Sequence, residues 1–324
     1  MKLPILAKAM ATTAALSLTA VAANAADIAV IAGSAQDAFF NKIKKGVDDA
    51  ALVVQANGGT VTYLTVPNYD NFGPDLVSLI NTAVSQGVDG IAIPIWVPDA
   101  QVPALEEAAK AGIKIMLYNT IGGEGDKDKI GAFNYFGTDE FLAGVRGGEY
   151  MAKAGSKKML CVIQVPGAVN LETRCNGLEE GAKANGAEIV RLPLPANLDG
   201  NAAGTAEAIK AELLKDPSID SVFTLSAAVT DASALAIEQA GAGDKVQLAS
   251  TDLSASILDR IKAGKQTMAV DQQPYLQSFL AVSMLAATID WGTDLATDPV
   301  LTGPAIVDAS NVDATMAGVA AGTR

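Results

Sequence analysis

From residue 26 to the end, short apolar runs alternate with stretches of helical periodicity, with little interruption. A chain patterned this way buries both faces of its strands only under helices, which means parallel sheets built from βαβ units. The first unit shows the pattern. Its apolar run at 28–32 stops at Gly33 and Ser34, and Phe39, Phe40, Ile43 and Val47 then recur at three- and four-residue spacing. The turn between them delivers a carboxylate, Asp37, and two aromatic rings to the carboxyl edge of a sheet, where open α/β folds bind small molecules. Flat apolar faces beside a charged acceptor suit a sugar ring. Two adjacent phenylalanines cannot share one helix stripe, so one is expected to pack between helix and sheet and the other to point elsewhere.

The same reading continues along the chain. Asn57, Gly58 and Gly59 close the first helix, and strand 61–66 follows. Pro74 sits in the first turn of a helix reaching Gln86, with Leu76, Leu79, Ile80 and Ala83 as its apolar stripe. Strand 91–95 leads to a helix capped by Asp99, and 113–117 is the fourth strand. Residues 121–129 read as a flexible polar loop, and 130–136 as the strand that ends the first series. A second series has helices at 140–153, 171–184, 203–214, 232–240 and 254–263. Its strands are 159–165, 188–192, 222–225, 246–250 and 267–270. A long helix over 275–289 and a last strand at 305–307 complete it. At 324 residues the chain is long for one domain, and two series of similar size predict two facing Rossmann-like lobes.

Composition narrows the chemistry. Histidine is absent, which removes His-based triads, most zinc sites and imidazole acid–base catalysis. Residues 1–25 read as a signal peptide: Lys2 opens it, an Ala/Leu-rich run follows, and Ala23, Asn24 and Ala25 give a small-x-small cleavage pattern. No cysteine follows to carry a lipid, and no later run has the ~18 apolar residues of a membrane span. An exported, soluble, periplasmic protein is expected. The net charge of −13, more acidic still without the leader, argues against nucleic acid. Cys161 and Cys175, 14 apart in an exported chain, are expected to form a disulfide.

Neither a G-x-G-x-x-G nor a G-x-x-x-x-G-K-[ST] phosphate loop occurs, and no acidic spacing resembles a calcium loop. No cofactor is expected. What recurs is a polar residue near the carboxyl end of strand after strand: Asp37, Asn119, Arg174, Ser226, Asp252 and Gln272. Together they supply an arginine fork, two carboxylates and several amides, a set that matches hydroxyls. Trp96, after the third strand, either stacks on a ligand or packs on the neighbouring loop.

In this order the phrases resemble the type I periplasmic sugar-binding proteins, the ribose-binding group in particular, over 26–308. Asp37 with Phe39 and Phe40 is similar to that family's first strand end. Gln86-Gly87-Val88-Asp89-Gly90-Ile91 and Lys110-Ala111-Gly112-Ile113 resemble its helix-to-strand phrases, and Phe136-Gly137-Thr138-Asp139 its first crossover. Arg174-x-x-Gly177 resembles its sugar-gripping arginine, Ser250-Thr251-Asp252 its ligand aspartate, and Gln272-x-Pro274 the glutamine at another crossover. The chain departs from the family at three places. Many relatives have asparagine where Asp37 stands, and ribose binders have Asp-Arg where this chain has Asn119-Thr120. The stretch from Ser226 to Asp231 replaces a shorter Asn-Asp. Ribose itself is therefore not implied; a neutral monosaccharide or polyol is.

The resemblance implies two lobes, 26–137 plus 273–301 and 138–272 plus 302–324, joined by a three-crossing hinge. It implies a monomer that closes on its ligand and is then recognised by the permease of an ABC importer. The arginine would face solvent before the ligand arrives. Two alternatives share parts of the pattern: an exported sugar-modifying enzyme, with Asp37 and Asp252 as an acid–base pair, or a receptor subunit for chemotaxis or sensing. A repressor effector domain is disfavoured by the leader and by the lack of a DNA-binding unit.

Overall fold

A computed structural model describes residues 25–195, 198 and 200–324. The signal peptide read at 1–25 lies, save its last residue, outside the described residues.

The first series runs β1 (Asp27–Ala32), α1 (Ala38–Ala56), β2 (Thr60–Thr65), α2 (Phe72–Gln86) and β3 (Gly90–Ile93). It continues through α3 (Pro98–Lys110), β4 (Lys114–Asn119), α4 (Asp126–Lys129) and β5 (Tyr135–Thr138). The second opens with α5 (Glu140–Lys153), β6 (Lys158–Ile163), α6 (Val169–Ala184), β7 (Glu188–Pro193) and α7 (Ala202–Lys215). It goes on through β8 (Ser221–Thr224), α8 (Ala227–Gln239), β9 (Gln247–Thr251), α9 (Ala255–Lys262) and β10 (Met268–Asp271). Last come α10 (Pro274–Trp291), β11 (Val300–Gly303), β12 (Ala305–Val307) and α11 (Val312–Ala320).

These strands form two six-stranded sheets, ordered β11-β5-β4-β3-β1-β2 and β12-β10-β9-β8-β6-β7. All pairings are parallel except β10 with β12. The chain passes from one sheet's half to the other after β5, after β10 and between β11 and β12, because α10 packs on α1 and β4 of the first sheet. The first half has one continuous core, and the second has apolar clusters on both faces of its sheet. The two-lobed parallel α/β class expected from the alternation is the fold observed.

Local differences have local causes. The strand expected at 91–95 ends at Ile93, since Pro94 has no N–H for the ladder. Asp99 does not cap its helix: Pro98 takes the first helical position and Val97 the cap, leaving Asp99 in the first turn. No side chain caps the helix; buried Gln101 instead holds the turn before it, its Oε1 accepting from the Trp96 and Val97 N–H groups, each at 2.8 Å. The loop at 121–129 contains a short helix, α4, and the strand after it starts at Tyr135 rather than at 130. Two further elements had no counterpart in the sequence reading, the edge strand β11 and the terminal helix α11.

Helices α5 and α6 touch backbone to backbone. A Cβ on Gly144 would overlap the Arg174 carbonyl oxygen, and one on Gly177 the Phe141 carbonyl oxygen. The disulfide between Cys161 on β6 and Cys175 on α6, with Cα atoms 6.3 Å apart, ties the same helix to the sheet. Arg174 is thereby fixed from two sides.

Candidate functional site

At the carboxyl ends of the two sheets lies a cavity of about 260 Å³ with walls from both halves of the chain. That is a little below the ~300–1,000 Å³ range of drug-sized pockets, and fits a small molecule. All nine residues nominated from the sequence contribute to its wall. Each arrives by the same route, at or just past the carboxyl end of a strand, or in the first turns of the helix that follows.

One wall is aromatic. Phe40 meets Trp96 edge-on with ring centroids 5.6 Å apart, and Trp96 meets Phe72 at 5.2 Å. Phe39 lies edge-on to Phe40 at 5.2 Å. The expectation that one phenylalanine turns away from the core needs correction: both are buried and both line the cavity, because the first turn of α1 is covered on two sides. Trp96 combines its two readings, since it is buried against its neighbours and also lines the cavity.

The polar groups are held by one another. Asp37 caps α1, accepting from the Phe39 N–H at 3.0 Å and from the Tyr69 hydroxyl at 3.2 Å. Ser226 caps α8, accepting from the Val229 N–H. Trp96 Nε1 donates to Asn119 Oδ1 at 3.1 Å, and Asn119 Nδ2 donates to Gln277 Oε1 at 3.2 Å. Gln277 Nε2 donates to the Gln272 carbonyl at 3.0 Å, and Gln272 Nε2 to Asp252 Oδ1 at 2.7 Å. One hydrogen-bonded chain thus runs from the first sheet, through the segment joining β10 to α10, into the second.

Arg174 departs from expectation. Its guanidinium does not face solvent: the residue is 2% exposed. Nε donates to Glu140 Oε2 at 2.8 Å, Nη1 to the Leu225 carbonyl at 3.2 Å and Nη2 to Gln272 Oε1 at 3.4 Å. Glu140 comes from α5, which packs on α6 within the same half, so lobe movement need not release it. Burial pushes the Glu140 carboxyl up to about 7, against the pull of Arg174. Burial also raises Asp252, opposed by Arg174 and the Gln272 hydrogen bond, and lowers Lys42, which lies near Asp252. Asp231, at the end of the stretch that departs from the family, is outside the site and pairs with Arg260 at 2.6 Å.

Among the described residues, the non-glycine residues with positive φ are Asn119 (59°), Asp252 (72°) and Gln273 (54°). All three follow or end strands at the cavity or the crossing beside it, where strained backbone concentrates in functional sites. Among the described residues there is no cluster of three or more His, Cys, Asp or Glu placed for a metal, and no helix long and apolar enough to cross a membrane.

The sequence reading did not nominate Lys42, Tyr69, Glu140, Gln164, Asn170 or Gln277. Gln164 fell inside the strand expected at 159–165; β6 ends at Ile163, which makes Gln164 the first residue past it. Glu140 and Gln277 gave no signal, since their partners are 34 and 158 positions away.

Residues 28–294 match the family profile described as a periplasmic binding protein domain. Among solved structures, a carbohydrate transporter from Acidothermus cellulolyticus 11B, in complex with myo-inositol, is 34% identical with a TM-score of 0.83, covering 92% of this chain and 99% of that one. An ABC transporter solute-binding protein from Burkholderia graminis C4D1M, in complex with D-arabinose, is 27% identical with a TM-score of 0.75 over 88% and 96% of the two chains. The xylose/arabinose-binding protein XylF of Sulfolobus acidocaldarius is 24% identical over 260 residues, 75% of this chain, and the chain spans only 61% of that protein's length. A profile match across both sheets and a 34%-identical relative covered almost end to end agree with the strand order and the cleft: the chain belongs to the type I periplasmic sugar-binding protein family.

Proposed function

We propose that the protein is the exported solute-binding component of an ABC importer. Two lobes, 26–137 with 273–301 and 138–272 with 302–324, close on a neutral sugar or polyol and present the closed form to a membrane permease. The observation that carries this is a single cavity with an aromatic wall and the carboxylates of Asp37 and Asp252, drawn from both sheets. Carboxylates accept from hydroxyls, and the rings cover the C–H faces between them. Charge favours a neutral ligand. Once Glu140 is ionised, above about pH 7, it matches Arg174, which leaves Asp37 and Asp252 against Lys42, so a sugar acid meets net repulsion. Myo-inositol and D-arabinose, held by two of the relatives, are uncharged polyhydroxy rings. The leader read at 1–25 supports export, and the family supports the permease.

A thermal-shift screen of pentoses, hexoses, cyclitols, alditols and uronic acids tests the reading. A bound neutral compound at 100 times its Kd adds about 2.7 kcal/mol to stability. No response to any neutral compound, or a response to uronic acids alone, overturns it.

A further inference from the structure

Two polar side chains in the cavity wall carry oxygens that the fold leaves unpaired. Gln164 directly follows β6, and Asn170 is the second residue of α6. Gln164 Oε1 and Asn170 Oδ1 are both shut off from solvent, and neither has a hydrogen-bond partner. Their neighbours differ in this respect. Asp37 and Ser226 cap helices, Asn119 is held at both ends of its amide, and Arg174 and Gln272 bond to each other and to further groups. A buried carbonyl oxygen without a donor is uncommon and destabilising, and a leucine of similar size would remove the penalty. Such departures from good packing belong where a ligand completes the hydrogen bonds.

Position agrees. Asn170 precedes Arg174 by four residues, so the two share a face of α6. The turn that carries it is fixed to the opposite wall, because the Val169 N–H donates to the Trp96 carbonyl at 2.9 Å. Gln164 is delivered by β6, the strand to which the disulfide ties α6.

We propose that Gln164 and Asn170 are ligand contacts that set specificity, each completing its hydrogen bonds only with hydroxyls of the bound ring. This rests on the reading of the protein as a binder of neutral polyhydroxy compounds and assigns that site two more groups. An amide offers a donor and an acceptor in fixed relation, so it distinguishes a hydroxyl from its epimer. A misplaced or missing hydroxyl leaves the buried amide unpaired, which discriminates more strongly than a misfitted methylene.

The test uses Gln164→Leu and Asn170→Leu in the full chain, with apo melting temperature and calorimetric Kd measured for each. The probes are myo-inositol, D-arabinose, D-xylose and D-galactose. The expected result is an apo melting temperature equal to or above the parent's, with Kd weakened about tenfold or more for a probe the parent binds. Parental affinity in both variants, or weakening that follows a fall in apo melting temperature, overturns the assignment and leaves the binding function standing. Failure of the parent to bind these probes and every neutral compound of the thermal-shift screen removes that function, and this assignment with it.

Discussion

At the residue scale the pair Arg174–Glu140 decides how binding and folding are linked. A solvent-facing arginine could be removed without cost to the empty protein, but this one is buried, with Nη2 2.6 Å from the Glu140 carboxylate. Removing one partner of a buried pair typically costs about 3–5 kcal/mol. Arg174→Ala is therefore expected to weaken sugar binding and also to lower the apo melting temperature, by roughly 6–20 °C at the ~2–4 °C per kcal/mol of a large domain. A variant that loses affinity but melts with the parent would restore the solvent-facing picture. The pair also sets a pH dependence. The Glu140 carboxyl is raised from 4.5 to about 7, so over that window the folded protein holds a proton that the unfolded chain has released. Its contribution to stability is fully present below 4.5 and falls as pH rises to about 7. Asp252 is raised for the same reason and adds in the same direction. Carboxyls held low, such as Asp216 at about 2, act only under more acid conditions. Apo stability should decline between pH 5 and 7, and Glu140→Gln should flatten that decline; an equal slope in the variant would assign it elsewhere.

At the scale of elements, α5 and α6 pack backbone against backbone, and glycine permits it. Alanine for glycine in an exposed helix gains about 1 kcal/mol in propensity. At Gly144 the new Cβ meets backbone atoms of Arg174 and Leu178, which cannot swing aside, and overpacking costs about 1–3 kcal/mol. The clash should win, so Gly144→Ala is expected to lower the denaturant midpoint, whereas a raised midpoint would show that the helices part freely. The same pair shows what the sequence could reveal. Strand ends were legible because periodicity 2 or a short apolar run changes to periodicity 3.6 at the turn, and that change located Asp37, Ser226 and Asp252. It could not reveal that Glu140 lies beneath Arg174, or that Gln277 reaches Asn119, because those contacts exist only once separate units pack. The weakly patterned end of the chain hid β11 and α11, since an edge strand with exposed Leu301 and a terminal helix burying few residues carry little apolar signal. Gln164 was hidden by a boundary: the apolar run extends the expected strand to 165, whereas β6 ends at Ile163 and leaves Gln164 at the strand end.

At the scale of the whole molecule, the question is what holds the two halves together around the cavity. Among the described residues, two hydrogen bonds cross between them outside the connecting segments. The Val169 N–H donates to the Trp96 carbonyl, and Lys42 Nζ on α1 donates to the Leu253 carbonyl at 2.6 Å, just past Asp252. Burial depresses the Lys42 ammonium's pKa, while Asp252, Asp271 and Asp37 favour its charged form. It is thus a cation drawn into the seam by carboxylates of both sheets. If the lobes open when empty, this bond forms only on closure, and its strength enters the ligand affinity rather than the stability of the open form. A hydrogen bond to a charged group contributes about 1.5–3 kcal/mol, and the desolvation of a partly buried ammonium offsets some of that. A net of about 1.4 kcal/mol is a tenfold change in affinity. Lys42→Met keeps the aliphatic stem on α1 and removes the donor. It is expected to weaken binding of neutral sugars about tenfold, chiefly through faster dissociation, with the apo melting temperature unchanged. Small-angle scattering of the variant in saturating sugar should still give the closed radius of gyration, because ligand contacts remain. Unchanged affinity would mean that the lysine merely fills the seam, and a lowered apo melting temperature would mean that the seam is already closed in the empty protein.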